Sequence, residues 1–446
     1  MKKKLLFIFI ILCMLMAVGC SNEKNNQELE TEANASNING VVEKQTKPYE
    51  IKDKKDLYEK DPTSVVTMYL TVTQGNAKTN TNHTWSEVNE HSVYYYEENN
   101  LERFSVNGLL QVGDENGPLY GELGYGLITP NSTVSIRGQI SSKAPQKNYK
   151  IKLYDDCGDY DGQTIINLNK HCMDGMRYTN KLMYDMMVDL DEMISMKTQF
   201  VHLYVKDLTD KNNDVFTDYG LYTQVEQPNK SFLKRHGLDE NGHLYKANFF
   251  EFYKYEDDIK LKSDEDYDEE KFAFHLDSKG DSDHSKLIEM LKDVNDYTIT
   301  PEELLDTWFD EENIASWMAF HILTGNIDTQ SRNFLLYSPK NLKKFYFISW
   351  DNDAAFNHME NEILETESND GYEKGVSNYW GTVLFKRLLM SSSFRNTLNE
   401  KIEEYYDYFK SGALETKANA LAKTIKPYVY GEVDKIYEPL VESDFD

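Results

Sequence analysis

The stretch from Trp317 to Asp353 constrains this chain more than any other, because it dictates several elements in a fixed order. Trp317-Met318-Ala319-Phe320-His321-Ile322-Leu323-Thr324 reads as the end of a helix, with His321 one of its residues. Gly325 then permits the left-handed turn that often closes helices. Asp328 and Asn333 fall in a loop just ahead of the strand-like Phe334-Leu335-Leu336-Tyr337. Ser338-Pro339-Lys340-Asn341 turns the chain, and Phe345-Tyr346-Phe347-Ile348-Ser349-Trp350 returns as a partner strand ending in Asp351-Asn352-Asp353. A hairpin between the loop and the acidic pair fixes how far apart they sit. Trp350 reads as hydrophobic core beneath them.

The flanking sequence predicts an α+β architecture, with a β-rich first lobe and a mainly helical second lobe. Val65 to Val72, Ser92 to Tyr96, Val134 to Arg137 and Asn148 to Leu153 read as strands. In the last, Tyr149, Ile151 and Leu153 alternate with Lys150 and Lys152, the period of a strand with one buried face. Met176, Leu182, Met183, Met186, Met187 and Leu190 recur at helical spacing and predict a core helix between Met173 and Met193. Thr198 to Val205 and Tyr219 to Gln227 read as strands, and Asn229 or Ser231 is placed to cap a short helix. Leu287 to Met318 and most of Ser391 to Tyr430 have helical spacing. A cleft between the lobes is the natural ligand site.

Helix, Asp-x4-Asn loop, hairpin and Asp is the order in which protein kinases place their catalytic loop and metal-binding segment. Phosphoryl transfer needs a carboxylate to orient and deprotonate the accepting hydroxyl, which assigns Asp328. It also needs an amide oxygen and a carboxylate to hold Mg²⁺ against the phosphates, which assigns Asn333 and Asp351. Either motif alone is weak, since acidic chains contain many chance matches. Asp353 has two readings. It shares the cleft with Asp351, where two charges about 5 Å apart repel by on the order of 3 kcal/mol at an effective dielectric of about 20 until a dication relieves them, or it points to water.

Further segments, taken in order with these, resemble the spore coat protein H (CotH) kinase-like family over roughly Val65 to Tyr430. They are Ile136-Arg137-Gly138-Gln139-Ile140-Ser141-Ser142 with Lys147-Asn148-Tyr149-Lys150, then Tyr219 to Gln227, Leu244-Tyr245-Lys246, Asp328 to Asn333 with Leu336-Tyr337, and Trp350 to Asp353. The resemblance implies an atypical protein-kinase-like two-lobed fold using ATP and Mg²⁺ or Mn²⁺. It implies that Arg137 and the run to Ser141 and Ser142 approach the nucleotide phosphates, although Arg137 serves equally well as a turn brace. It implies Lys147 as the phosphate-contacting strand lysine, with Lys150 the rival at this register. Glu226 and Gln227 would sit where the lobes join, their backbone near the adenine edge. Arg177, expected on the helix after the sheet, reaches the cleft or faces solvent. The chain lacks GxGxxG, a His-Arg pair before Asp328 and Phe-Gly after Asp351, as the family itself does.

Lys2, Lys3 and Lys4 precede an apolar run from Leu5 to Val18 that ends in Ala17-Val18-Gly19-Cys20, a bacterial lipoprotein signal with acylation expected on Cys20. A run of about fourteen apolar residues falls short of the about twenty that span a bilayer, so a transmembrane anchor is the weaker reading. The expected layout is a signal peptide at 1–19, a polar tether at 20–62, and a kinase-like domain at 63–440 with lobes at about 63–225 and 228–440. The expected address is the outer face of the cell membrane. The formal net charge of -28 argues against a nucleic-acid partner. Cys157 and Cys172 lack a zinc or CxxC spacing and remain as a disulfide or two thiols. The resulting expectation is phosphorylation of Ser or Thr on exported or spore coat proteins. The alternative is a non-catalytic surface or coat-assembly protein that keeps the fold as a binding platform. A two-carboxylate glycan hydrolase has no residue pair to select it. Replacing the acylated thiol, Cys20→Ala, is expected to move the protein from the membrane pellet to the soluble fraction, read by fractionation and immunoblot.

Overall fold

The computed structural model describes residues 51–172, 174–211, 213–356 and 378–435. The expected leader, Cys20, the tether up to residue 50, Met173 and the end of the acidic tail lie outside the described residues. The larger of two sheets contains β1 (Val65–Thr73), β2 (Ser105–Asp114), β3 (Gly117–Pro118), β4 (Ser132–Arg137), β5 (Asn148–Leu153), β6 (Ile165–Asn169), β7 (Thr198–Asp207) and β8 (Thr217–Val225). They pair in the order β1-β7-β8-β6-β5-β4-β2-β3, and β1 pairs with β2 as well, so the sheet closes into a ring with β3 outside it. Closure removes the unpaired edges that invite pairing with other chains.

Alternation decides what fills the ring. Met68, Leu70 and Val72 of β1, Val134 and Ile136 of β4, and Tyr149, Ile151 and Leu153 of β5 project to one face and join a single buried cluster. The opposite face of β4, β5 and β6 is polar. Register pairs Ser135 with Lys150, Lys150 with Asn167 and Arg137 with Asn148, and directly opposed residues share a face. One helix lies where a strand was expected. Ser92 to Tyr96 begins α2 (Val93–Glu98), which follows α1 (Trp85–Glu90). Its buried residues, Val93 and Tyr96, are one helical turn apart, a spacing that the alternating reading of three tyrosines concealed.

The methionine-rich helix, α3 (Thr179–Met187), is shorter than its apolar spacing suggested. The residues after it stay buried without helical structure, among them Leu190, Met193, Ile194 and Met196. Helix α4 (Lys230–Arg235) is capped by Asn229, whose side chain accepts from the Phe232 amide. A second sheet follows, made of β9 (His243–Ala247), β10 (Leu276–Ser278), β11 (Phe334–Ser338) and β12 (Tyr346–Ser349) in the order β10-β9-β11-β12. Around it run α5 (Glu269–His275), α6 (Ser285–Val294), α7 (Pro301–Trp308), α8 (Glu311–Leu323), α9 (Val383–Met390), α10 (Ser392–Tyr408) and α11 (Leu414–Val429). Strand β12 lies at the sheet edge, and Asn313 of α8 closes that edge. Its Nδ2 donates to the Phe347 carbonyl at 3.1 Å, and its Oδ1 accepts the Phe347 amide at 2.7 Å. One apolar core runs continuously from the outside of the ring (Phe200, Leu221) through α3 to the second sheet and its helices. Among the described residues no helix is long and apolar enough to cross a membrane, and no disulfide joins Cys157 and Cys172.

Residues 51–58, expected within the tether, pack onto this body as a strap. Ile51 is part of the core, and the Asp53 carboxylate is buried against His236. The fully buried imidazole lies between two carboxylates, with Nδ1 at 2.6 Å from Asp53 Oδ1 and Nε2 at 2.9 Å from Glu226 Oε2. Burial alone would lower its pKa, but the Glu226 and Asp53 charges outweigh burial and push it up to about 9. Burial likewise raises Asp53, and the His236 contact outweighs it to hold the carboxyl below its ordinary range. The imidazolium's contribution to stability is therefore complete below its unfolded pKa, roughly 6.5, and is lost as pH rises through about 9. The Asp53 contribution is lost at the acid end, as pH falls through its lowered value. Replacing the cation, His236→Leu, leaves the buried Asp53 without a cationic partner and Glu226 with Arg235 alone, and is expected to cost about 3–5 kcal/mol at neutral pH in urea denaturation.

Candidate functional site

The loop and hairpin form as their spacing predicts. Helix α8 gives way at Gly325, which adopts φ 59°, and Asp328 sits in a single 3₁₀ turn, Ile327–Thr329. Phe334 pairs with Ser349, and the Trp350 amide donates to the Asn333 carbonyl at 3.1 Å. Asn333 and Asp351 therefore flank the same end of the hairpin. Both adopt the left-handed backbone region, φ 58° and 55°, which costs energy for a residue with a side chain and persists only when the surroundings hold it. Asn333 Nδ2 donates to Asp328 Oδ2 at 2.9 Å, which leaves its Oδ1 available to a cation. Arg332 Nε lies 3.5 Å from Asp328 Oδ1 while its guanidinium stacks 4.3 Å over the Phe249 ring. Burial raises the Asp328 carboxyl above its ordinary range against the pull of Arg332, and Asp351 adds to the rise. The half-buried Asp353 carboxyl is pushed well above its usual range by repulsion from Asp351 first, then by burial, Asp174 and Asp328. Four carboxylates thus act on one another in one place.

Helix α3 holds the acidic segment from behind. Asp351 N donates to the Tyr184 hydroxyl at 3.1 Å, and Asn352 N donates to Asn180 Oδ1 at 2.9 Å. Asp174 caps the start of the same helix. Its carboxylate accepts the Thr179 amide at 2.7 Å and the Thr179 hydroxyl at 2.8 Å. Sequence reading missed Asn180, Tyr184 and Asp174. The available signal was polar residues set among the methionines of an otherwise apolar helix. His321 braces the hairpin from α8, with Nε2 2.9 Å from Ser349 Oγ, and burial lowers its pKa to about 3, so it is neutral. Trp350 is buried in the core.

Cations from both sheets approach Asp351. Arg137 pairs with Asn169 Oδ1, and burial lowers its pKa to about 10 although the nearby Asp351 opposes the fall. Lys246 of β9 is lowered by burial and sustained by Asp351, with its ammonium 6.0 Å over the Trp350 ring. Lys150 is lowered by burial and by its neighbours Lys279 and Arg137. Lys246 went unassigned in the sequence because its strand belongs to the other sheet. The remaining expected phosphate contacts are engaged elsewhere. Lys147 precedes β5, and its buried ammonium donates to the Ser142 carbonyl at 2.6 Å, which leaves Lys150 as the strand lysine beside Arg137. Ser142 is buried and accepts from the Val93 amide at 3.0 Å, while Ser141 accepts from Asn148 Nδ2 at 3.0 Å. These bonds build the turn after β4, where Gly138 adopts φ 87° and a side chain would strike Ser141. Glu226 is locked among His236, Arg235 and the Lys197 amide. Arg177 lies before α3 rather than on it. It is buried, with φ 65°, and donates to the Lys170 and His171 carbonyls at 3.3 and 3.4 Å, so it does not face solvent.

The donor chemistry fits a hard dication. Among the described residues no three His, Cys, Asp or Glu side chains form a cage by themselves. Mg²⁺ rarely needs one, since it is bound through one or two carboxylates with water and substrate phosphate completing the shell. Asp351, Asp353 and the free Oδ1 of Asn333 supply oxygen donors, and the mutual repulsion of the acids is what a cation relieves. A family described as CotH kinase protein matches residues 134–446, from within β4 onward. No curated protein matches the chain. Removing one repelling charge, Asp353→Asn, is expected to stabilise the protein in EDTA by on the order of 1 kcal/mol, read as a higher urea midpoint. An unchanged or lower midpoint would show that the carboxylates do not oppose one another.

Proposed function

The chain belongs to the CotH kinase protein family, and on that premise we propose that it is an atypical protein kinase anchored by lipid on Cys20 at the outer face of the cell membrane. It transfers the γ-phosphate of ATP to Ser or Thr hydroxyls of surface or spore coat proteins. In this reading the closed sheet serves as the first lobe, and the second sheet with its helices as the second. The observation that carries the proposal is the meeting of acidic and cationic side chains around Asp351. Asp328, Asn333, Asp351 and Asp353 gather together, and Arg137 and Lys246 act on Asp351 from two different sheets, with Lys150 beside Arg137. A nucleotide carrying a dication matches both signs at once.

Asn333, Asp351 and Asp353 would hold Mg²⁺. When bound, the ion draws charge from the phosphate oxygens. Arg137 and Lys246, both desolvated yet drawn to Asp351, hold the phosphates in line. Asp328 orients the acceptor hydroxyl and takes its proton as the oxygen attacks. A carboxyl raised by burial is a stronger base than one in water. Arg332 and Asn333 each hold one oxygen of Asp328 and so fix the plane of its carboxylate.

One feature favours a second reading, a non-catalytic coat or surface assembly protein. The loop after β3 exposes Tyr120 and Ile128 at 88% and 93%, and Tyr120 packs edge-on against Tyr125. Aromatic residues of this kind are enriched at interfaces. Nucleotide separates the two readings, because a ligand bound only by the native state must raise its stability. Labelled phosphate from ATP is expected on the protein itself or on a Ser-rich acceptor, with Asp328→Ala lowering transfer about 10²–10⁴-fold and Asp351→Ala abolishing it. Equal labelling by all three proteins overturns the assignment. No rise in melting temperature with ATP and Mg²⁺ or Mn²⁺ favours the assembly reading.

A further inference from the structure

The strap at 51–58 lies outside the family-matched residues, yet its polar contacts lead to the acidic segment through α3. The Lys55 ammonium donates to the carbonyl of Val188, the residue that closes α3, at 2.7 Å and to that of Leu190, just beyond the helix, at 3.1 Å. Asp53 Oδ2 accepts the Ser195 amide at 3.1 Å, and the Tyr58 hydroxyl lies 2.7 Å from the same Oδ2 and 2.9 Å from the Ser195 carbonyl. The buried Ser195 in turn donates its Oγ to the Tyr184 carbonyl at 2.8 Å. Tyr184 is the residue whose hydroxyl receives the Asp351 amide, and Asn180, one turn earlier, receives that of Asn352. The Ser195–Tyr184 and Asn180–Asn352 links are buried and the Tyr184–Asp351 link is partly so, where an unmade hydrogen bond is costly and the geometry is correspondingly fixed.

We propose that the strap is a positioning element, in which Lys55 and Tyr58 set the place of α3 and α3 sets the backbone of Asp351 and Asn352. The mechanical claim rests on these contacts alone. Its consequence for cation binding rests on the reading of Asp351 given under Proposed function. Asp351 occupies the left-handed region, which a backbone leaves readily once its supports loosen. The amide bonds to Tyr184 and Asn180 are such supports, and both are made by one short helix. Releasing the end of α3 that Lys55 holds lets the helix shift as a unit and carries both supports with it. The strap is also the segment that joins the body to the residues leading back to Cys20, so tension or docking at that end acts on the same helix.

The test uses the full chain and compares wild type with Lys55→Met, Tyr58→Phe and Ser195→Ala, and with Lys55→Arg as the conservative rescue. Hydrogen exchange is measured at the amides of Asp351 and Asn352, with β1 and β7 as internal reference. Mn²⁺ binding is titrated alone by electron paramagnetic resonance. All three variants are expected to speed exchange at both amides severalfold against unchanged β1 and β7, and to weaken Mn²⁺ roughly tenfold, the low end for loss of support behind a metal ligand. Lys55→Arg restores both. Wild-type exchange at Asp351 and Asn352 in Lys55→Met and Tyr58→Phe, even with a lower melting temperature, overturns the proposal and makes the strap a purely structural contact. If the wild type binds no Mn²⁺, the metal reading fails, and the exchange result still decides the positioning role.

Discussion

The structure depends on holding the carboxylates of Asp351 and Asp353 near one another against their repulsion. Such an arrangement is unfavourable by itself, and it exists because rigid elements leave the acids nowhere else to go. The hairpin of β11 and β12 fixes Asp351 beside Asn333 through a backbone bond, and α3 takes the next two amides from the other side. Beneath both lies an aromatic core in which Trp317 packs against Phe334, Phe347 and Phe385. Burial of those rings offsets the electrostatic cost above them. Asn313 adds to the rigidity by closing the exposed edge of β12, so the strand that leads into Asp351 has no free side on which to slip.

The cationic side is built by a different device. Arg137, Lys150 and Lys246 are all lowered by burial, and in water none would stay so close to its neighbours. Two sheets contribute them, so their convergence is a property of how the ring meets the second sheet rather than of any single segment. Acids held by local hairpin geometry and bases gathered by tertiary packing give the site its polarity. Asp328, Asp351 and Asp353 come from one stretch of chain, and the bases come from three strands.

That difference explains what could be read from the residues alone. Gly325, the Asp328 loop, the hairpin and its terminal acids follow from local spacing, and the structure has them in that order. The α+β class follows from periodicity in the same way. Ring closure did not, because pairing of β1 with β2 and β7 is set by contacts distant in sequence, and no local pattern encodes them. Tyr94-Tyr95-Tyr96 favoured a strand by propensity, yet Val93 and Tyr96 bury one helical face and packing prevailed. Lys147 and Lys150 were indistinguishable by type. A side chain that reaches a nearby carbonyl and one that faces the polar side of the ring differ only in register.

The closed ring also sets an order of events for the chain's own assembly. Strand β1 has β7 as its parallel neighbour, and Val65 is matched with Phe200, so the ring cannot be sealed until the chain beyond β7 is in hand. Contacts so distant in sequence are slow to form, since loop-closure entropy must be met before pairing rewards it. A ribosome that releases the chain from its N-terminus would present β1, β2, β4, β5 and β6 as an open sheet until β7 arrives. The late-arriving strands β7 and β8 therefore act as the latch. Truncation before them would leave an open, adhesive sheet instead of a smaller working domain.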